Sequence, residues 1–202
     1  MTASVSLEET KIAYIPKNLI YEELNGRPLY RQGYKDVLNK TKTIEEIMGC
    51  SSLQGIIISV LLRYLYVNTD ENQYEVVTNE VGLHVSLGNN LSSDIILYDA
   101  KVTQQYQFDT HYFNAAPKMV IEVDVKIDLE DIHSMDYINE KNDTLFKFGV
   151  EKVVWVFTKS QEALLAEPNK DSVIRHWSED FELLEGHSIN LKELIEKKGY
   201  NI

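Results

Sequence analysis

Residues 118–126 read Lys-Met-Val-Ile-Glu-Val-Asp-Val-Lys. From Val120 onward, β-branched and acidic residues alternate. This is the period of an extended strand, whose successive side chains point to opposite faces. Ile121, Val123 and Val125 are then expected on one face, and Glu122, Asp124 and Lys126 on the other. Two carboxylates and an ammonium are costly to bury unpaired, so the acidic face is expected to open into a cleft, with a cation as its natural partner. A solvated sheet face is the plainer alternative. The cleft is favoured by Ser93-Asp94-Ile95-Ile96-Leu97-Tyr98, a second apolar strand that opens with an acid. An Asp at the start of one strand and an acid-x-acid-x-Lys run on the next suit a hard divalent ion. Mg²⁺ takes oxygen ligands, typically one or two carboxylates with water and substrate phosphate.

Downstream of this stretch, residues 127–134 are acidic and irregular, and Met135 to Phe148 reads as a helix, with Ile138, Leu145, Phe146 and Phe148 as apolar contacts and Gly149 as its C′ residue. Lys152 to Phe157 is a continuous apolar run, as expected of a strand buried on both faces. Strand, helix and buried strand in succession suggest a crossover unit. Ala163–Ala166, Ser172–Trp177 and Phe181–Leu184 read as a terminal meander, and Leu191–Lys198 as a closing helix capped by Asn190. Upstream, Leu19–Leu24 and Arg27–Tyr30 flank Asn25-Gly26, a strong hairpin signal because both central residues of a type I′ turn need positive φ. Apolar residues at 53, 56, 57, 60, 61, 64 and 65 follow helical spacing, with Ser51 or Ser52 as N-cap. Gln54 falls in the first turn of that helix, either as a solvated residue or as a hydrogen-bonding group lining the cleft. Tyr74–Val77 and Leu83–Leu87 read as two short strands around Asn79-Glu80, and residues 100–117 as a polar connection that includes His111. The Glu22/Glu23 pair and Glu80 are expected at the surface, and Lys126 is expected to pair with Asp124 or Asp128.

The chain has 202 residues, 44% hydrophobic and 26% charged, as in an ordinary globular domain. Residues 1–18 are expected to form an arm and 19–202 a single domain. The net charge of −12 argues against tight, nonspecific DNA binding, which normally shows a basic footprint. It leaves room for a nuclease, because a metal and local Lys/Arg groups offset clustered acids. A single cysteine, Cys50, excludes an internal disulfide and a Cys-rich zinc site. The start, MTASVSLEETK, has no apolar signal core, and the longest apolar run, Gly55–Tyr66, is too short to span a bilayer. A cytoplasmic protein with no membrane partner is expected.

Several of these features, taken in order, resemble one family. Tyr21-Glu22-Glu23-Leu24-Asn25-Gly26, Ser51-Ser52-Leu53-Gln54 opening a helix, Ser93-Asp94 opening a strand, Ala116 to Val123, and the helix ending Phe148-Gly149-Val150 are similar to the Uma2-like proteins, a domain of unknown function regarded as candidate PD-(D/E)xK restriction-type endonucleases. The resemblance spans roughly Leu19 to Leu194. It implies an α/β (α+β) restriction-endonuclease-like fold, a mixed central β-sheet flanked by helices, with an N-terminal hairpin and a C-terminal β-meander. It also implies a metal-dependent DNA endonuclease. This chain departs from the pattern with Ser93 where the family has Pro, and with Asp124-Val125-Lys126 where it has an apolar residue and Ser-Pro.

Two placements of the motif follow. In one, Glu122 is the acid and Lys141, from the following helix, the lysine; in the other, Asp124 and Lys126 are the pair. Asp94 and Glu122, assisted by Asp124 or Glu80, are then expected to hold Mg²⁺ or Mn²⁺. Lys141 or Lys126 would position water or stabilise developing charge, and Gln54 would orient the water or touch phosphate. At about 3.3 Å per strand residue, Glu122 and Lys126 are expected to stand too far apart to share a centre. Double-strand cleavage would call for a homodimer. The rival readings are a nuclease fold that no longer cuts and serves in binding or assembly, and a hydrolase of another phosphate ester.

Overall fold

The computed structural model describes residues 15–107, 109–130 and 132–201. Residues 1–14 of the expected arm lie outside the described residues. Asn25 and Gly26, both at positive φ (52° and 74°), close the hairpin of β1 (Ile20–Leu24) and β2 (Arg27–Tyr30). The turn is fixed to the sheet by a bond from Gly26 N to Gly88 O of 2.8 Å. A Cβ on Gly88 would stand 3.1 Å from the Gly26 backbone, so glycine at 88 permits the approach.

Short helices α1 (Tyr34–Leu38) and α2 (Glu45–Met48) lead to α3 (Ser52–Asn68). Ser51 and Gln54 form a reciprocal capping box at its start. The two expected strands near residue 80 are one long strand, β3 (Tyr74–Ser86), with a bulge at Asn79-Glu80, both at positive φ. It pairs antiparallel with β4 (Asn89–Asp99). The connection that follows contains α4 (Ala100–Thr103) and a 3₁₀ turn (Gln104–Tyr106) before β5 (Met119–Val123). Helix α5 (Ser134–Phe148) crosses over to β6 (Lys152–Phe157), which lies parallel to β5. Gly149, at φ 120°, ends α5 with its N–H on Leu145 O.

Antiparallel strands β7 (Glu162–Ala166) and β8 (Val173–His176) complete a mixed, mostly antiparallel sheet ordered β2-β1-β4-β5-β6-β7-β8, with β3 also on β4. The meander does not continue into this sheet. Strands β9 (Asp180–Leu184) and β10 (His187–Asn190) form a separate hairpin, ahead of α6 (Leu191–Glu196). Asn190 caps α6 by accepting from Glu193 N at 3.1 Å.

Apolar side chains divide by sheet face. Ile95, Ile121 and Val154 pack with Ile57, Leu61 and Leu65 of α3 and with Leu191 and Ile195 of α6. Ile96, Val120 and Trp155 pack on the other face with Ile138 and Leu145 of α5 and with Tyr21, Leu24 and Leu29 of the hairpin. The architecture is thus α+β, a central sheet covered on both faces. No helix among the described residues is long and apolar enough to cross a membrane.

Candidate active site

The antiparallel register sets Ile95 opposite Ile121 and Ile96 opposite Val120. One step further, Asp94 comes level with Glu122 on the face covered by α5. Both are buried, 3% and 2% exposed. Asp94 Oδ2 accepts from Val123 N at 2.8 Å, which ties the acid to the end of β5.

The expected alternation ends there. β5 stops at Val123, and Asp124 adopts a left-handed backbone, φ 60°. The Asp124 carboxylate accepts from Thr158 N at 2.7 Å and from Thr158 Oγ1 at 2.6 Å. These bonds hold the bend and occupy both carboxylate oxygens. The bend also carries Val125 away from Val123, so that it packs on the α5 side with Val120. Two expectations fail in consequence. Lys126 pairs with neither Asp124 nor Asp128; its ammonium contacts Asp94 Oδ1. Lys126 is also not carried away from Glu122 by strand length, because β5 ends at Val123, and its charge bears on Glu122.

Behind the acids lies Lys141 of α5, with no exposed side-chain surface. Its ammonium donates to Glu22 Oε2 at 2.8 Å and to Ser92 O at 2.8 Å, and reaches Tyr137 OH at 3.4 Å. Glu122 Oε1 lies 3.0 Å from the same ammonium. That approach lacks hydrogen-bond geometry, leaving Glu122 Oε1 a buried oxygen with no donor. Tyr137 OH donates to Glu22 Oε1 at 2.6 Å. The expectation of a surface Glu22 is therefore overturned: it is 3% exposed. The cause is a bulge in β1, where the register slips between Ile20 and Glu22 and buries Tyr21 and Glu22 in succession. The i, i+4 spacing of Tyr137 and Lys141 on α5 was the sequence signal for a polar inward stripe.

Electrostatics follow the burial. Desolvation pushes the Glu122 carboxyl up to about 7; Lys141 and Lys126 oppose the rise, while Asp94 and Glu22 add to it. For Lys141 burial works against the charge, but Glu122 and Glu22 outweigh it and raise the ammonium's pKa. Burial, reinforced by the neighbouring acids, also raises the phenols of Tyr21 and Tyr137.

In front of the acids is an open cleft of about 1010 Å³. Lys126, Asp124, Gln54, Glu80 and Arg31 line it, with Phe157–Ser160 on one wall. Asp94 and Glu122 sit beneath this surface, and Lys126, 14% exposed, stands between Asp94 and the open space. Gln54 Nε2 donates to Val123 O at 3.1 Å, linking the start of α3 to the end of β5. Glu80 is turned to Arg31, with Oε2 3.3 Å from Nη2. His111 is exposed and bonded to Asp109. The structure thus brings together Asp94, Glu122, Lys126 and Lys141, and holds Asp124 and Glu80 on other partners.

No cluster of three or more His, Cys, Asp or Glu side chains fit to hold a metal occurs among the described residues. The donor set is two carboxylates side by side, one with an unused oxygen. That suits a hard ion completed by water and substrate phosphate rather than a closed protein cage.

A solved structure with this architecture is a candidate nuclease belonging to DUF820 from Anabaena variabilis ATCC 29413. The two superpose with a TM-score of 0.59 over 87% of this chain and 89% of the other, at 12% identity. No protein-family model matches the chain, and no curated protein does. The likeness establishes a nuclease-like fold.

Proposed function

We propose that this chain is a metal-dependent DNA endonuclease that hydrolyses phosphodiester bonds, with Asp94 and Glu122 as the ligands of Mg²⁺ or Mn²⁺. The observation that carries the reading is the pair of buried carboxylates, level on adjacent strands of a nuclease-like sheet, with Lys126 between Asp94 and an open cleft. A divalent ion held there supplies Lewis-acid polarisation of a phosphate and a lowered pKa for bound water. Lys126, which lines the cleft and contacts Asp94, stabilises charge building on the phosphate oxygens. Lys141 has its donors committed to Glu22, Ser92 and Tyr137 and acts as a positioning residue whose charge, 3.0 Å from Glu122 Oε1, offsets that acid. Gln54 fixes the carbonyl of Val123 and thereby the end of β5. The cleft lies at the top of the range for small-ligand pockets, about 300–1,000 Å³, and is open, which suits a polymer better than a small phosphate ester.

A second reading has its own observation. Both acids already have ammonium partners, Lys126 on Asp94 and Lys141 beside Glu122. A nuclease fold retained for binding or assembly would look like this. A plasmid-nicking assay in Mg²⁺ or Mn²⁺ separates the two. Metal-dependent conversion of supercoiled plasmid, lost in Asp94→Asn, is expected. No cleavage in either metal, across salt concentrations and DNA forms, leaves the second reading.

A further inference from the structure

The bond from Arg31 Nη2 to Glu80, 3.3 Å long, is the polar contact of a guanidinium that carries five donors. Its Nε is buried with no acceptor among the described residues. An unsatisfied buried donor is costly, and a charge-assisted pair in good geometry is shorter, about 2.7–2.9 Å. Arg31 is nevertheless tied down on both sides along its backbone. Its backbone bridges Ile127, Arg31 N donates to Leu19 O at 2.9 Å, and Gln32 N donates to Lys126 O at 2.8 Å. Its guanidinium lies over the Tyr21 ring, 5.0 Å from the centroid. Tyr21 OH is itself buried without a partner, in a position where Glu122, Lys141, Asp94 and Glu22 all bear on it. The fork of Arg31 thus stands at the wall of the cleft with Lys126, and its donors are poorly used.

We infer that Arg31 is the phosphate receptor of the cleft, gripping a nucleic-acid phosphodiester through its Nη groups in the place Glu80 fills at rest. The planar fork matches two phosphate oxygens, which a lysine cannot do. Glu80 sits on the bulge of β3 with its side chain 38% exposed, so it can swing into solvent when the anion arrives. It is a resting counter-ion in this arrangement and not a metal ligand. The choice of a phosphodiester rests on the nuclease reading; the anion site itself does not.

The test is binding of a short fluorescent duplex in EDTA, read by anisotropy over a series of salt concentrations. Arg31→Met is expected to weaken binding about tenfold or more, and to lower the slope of log affinity against log salt by about 1. Arg31→Lys is expected to keep the slope and stay weaker than wild type. Glu80→Gln, on an exposed side chain that leaves the fold intact, is expected to tighten binding. Wild-type affinity and slope in Arg31→Met, full recovery in Arg31→Lys, or an unchanged Glu80→Gln each overturn the inference. Arg31-dependent binding without cleavage upholds the anion site and ends the nuclease reading. Metal-dependent cleavage with unaltered binding in Arg31→Met does the reverse.

Discussion

Glu122→Gln is expected to make the protein more stable above neutral pH while removing its activity. Glutamine copies the shape of the protonated acid and carries no charge. In the folded protein the carboxyl holds its proton up to about pH 7, against an ordinary value of 4.5, chiefly because it is desolvated. The stability contributed by the protonated acid is complete below about 4.5 and is lost as pH rises through 7. At about 1.4 kcal/mol per pH unit, the ionised acid costs about 3 kcal/mol at pH 8. Lys141 keeps Glu22 as its counter-ion in the variant, so no new unpaired charge is created. Urea unfolding followed by the fluorescence of buried Trp155 and Trp177 measures the difference directly. A gap of about 3 kcal/mol is expected at pH 8, or about 6–12 °C in Tm for a chain of this size, shrinking below about 1 kcal/mol at pH 5. A gap of opposite sign, or one that does not change between pH 5 and pH 8, refutes the account of a carboxyl strained by burial.

Lys141→Met removes the one cation from between Glu22 and Glu122 and is expected to cost about 3–5 kcal/mol. The loss should lessen on acidification as Glu122 takes up a proton, and thermal melts at pH 5 and pH 8 check both points. Lys126→Met frees Asp94 Oδ1 and removes a competing positive charge. Calorimetric titration with Mn²⁺ in the absence of DNA should show tighter binding than wild type, and equal or weaker binding would remove Lys126 from the cation's place.

The elements that the sequence disclosed are those with local causes. Asn25-Gly26 demands two positive φ angles, the apolar spacing from 53 to 65 demands a helix, and the run from Lys152 to Phe157 demands a strand covered on both faces. The placement of Asp94 beside Glu122 was also legible, since each acid borders an apolar run, although Asp94 lies in the middle of β4 and not at its start as expected. What was hidden has causes that composition does not record. A bulge in β1 turns Glu22 inward, where an alternating strand would have left it solvated. A left-handed Asp124, held by a threonine 34 positions later, folds Lys126 back on Asp94. Arg31 acquires its place from backbone bonds to Leu19 and a bridge to Ile127, which only the assembled sheet supplies. In each case a non-repetitive backbone feature overrides the period that the residue types suggest.

Glu22 reaches Lys141 across 119 positions, and this span has a bearing on when the site exists at all. Its charges come from the hairpin, the strand pair and the crossover helix, and Lys141 of the helix lies between an acid of the hairpin and an acid of the strand pair. Docking of the hairpin supplies the carboxylate to which both Lys141 and Tyr137 donate. A nascent chain, or one whose first strand has peeled away, leaves Lys141 without that counter-ion and should be less active.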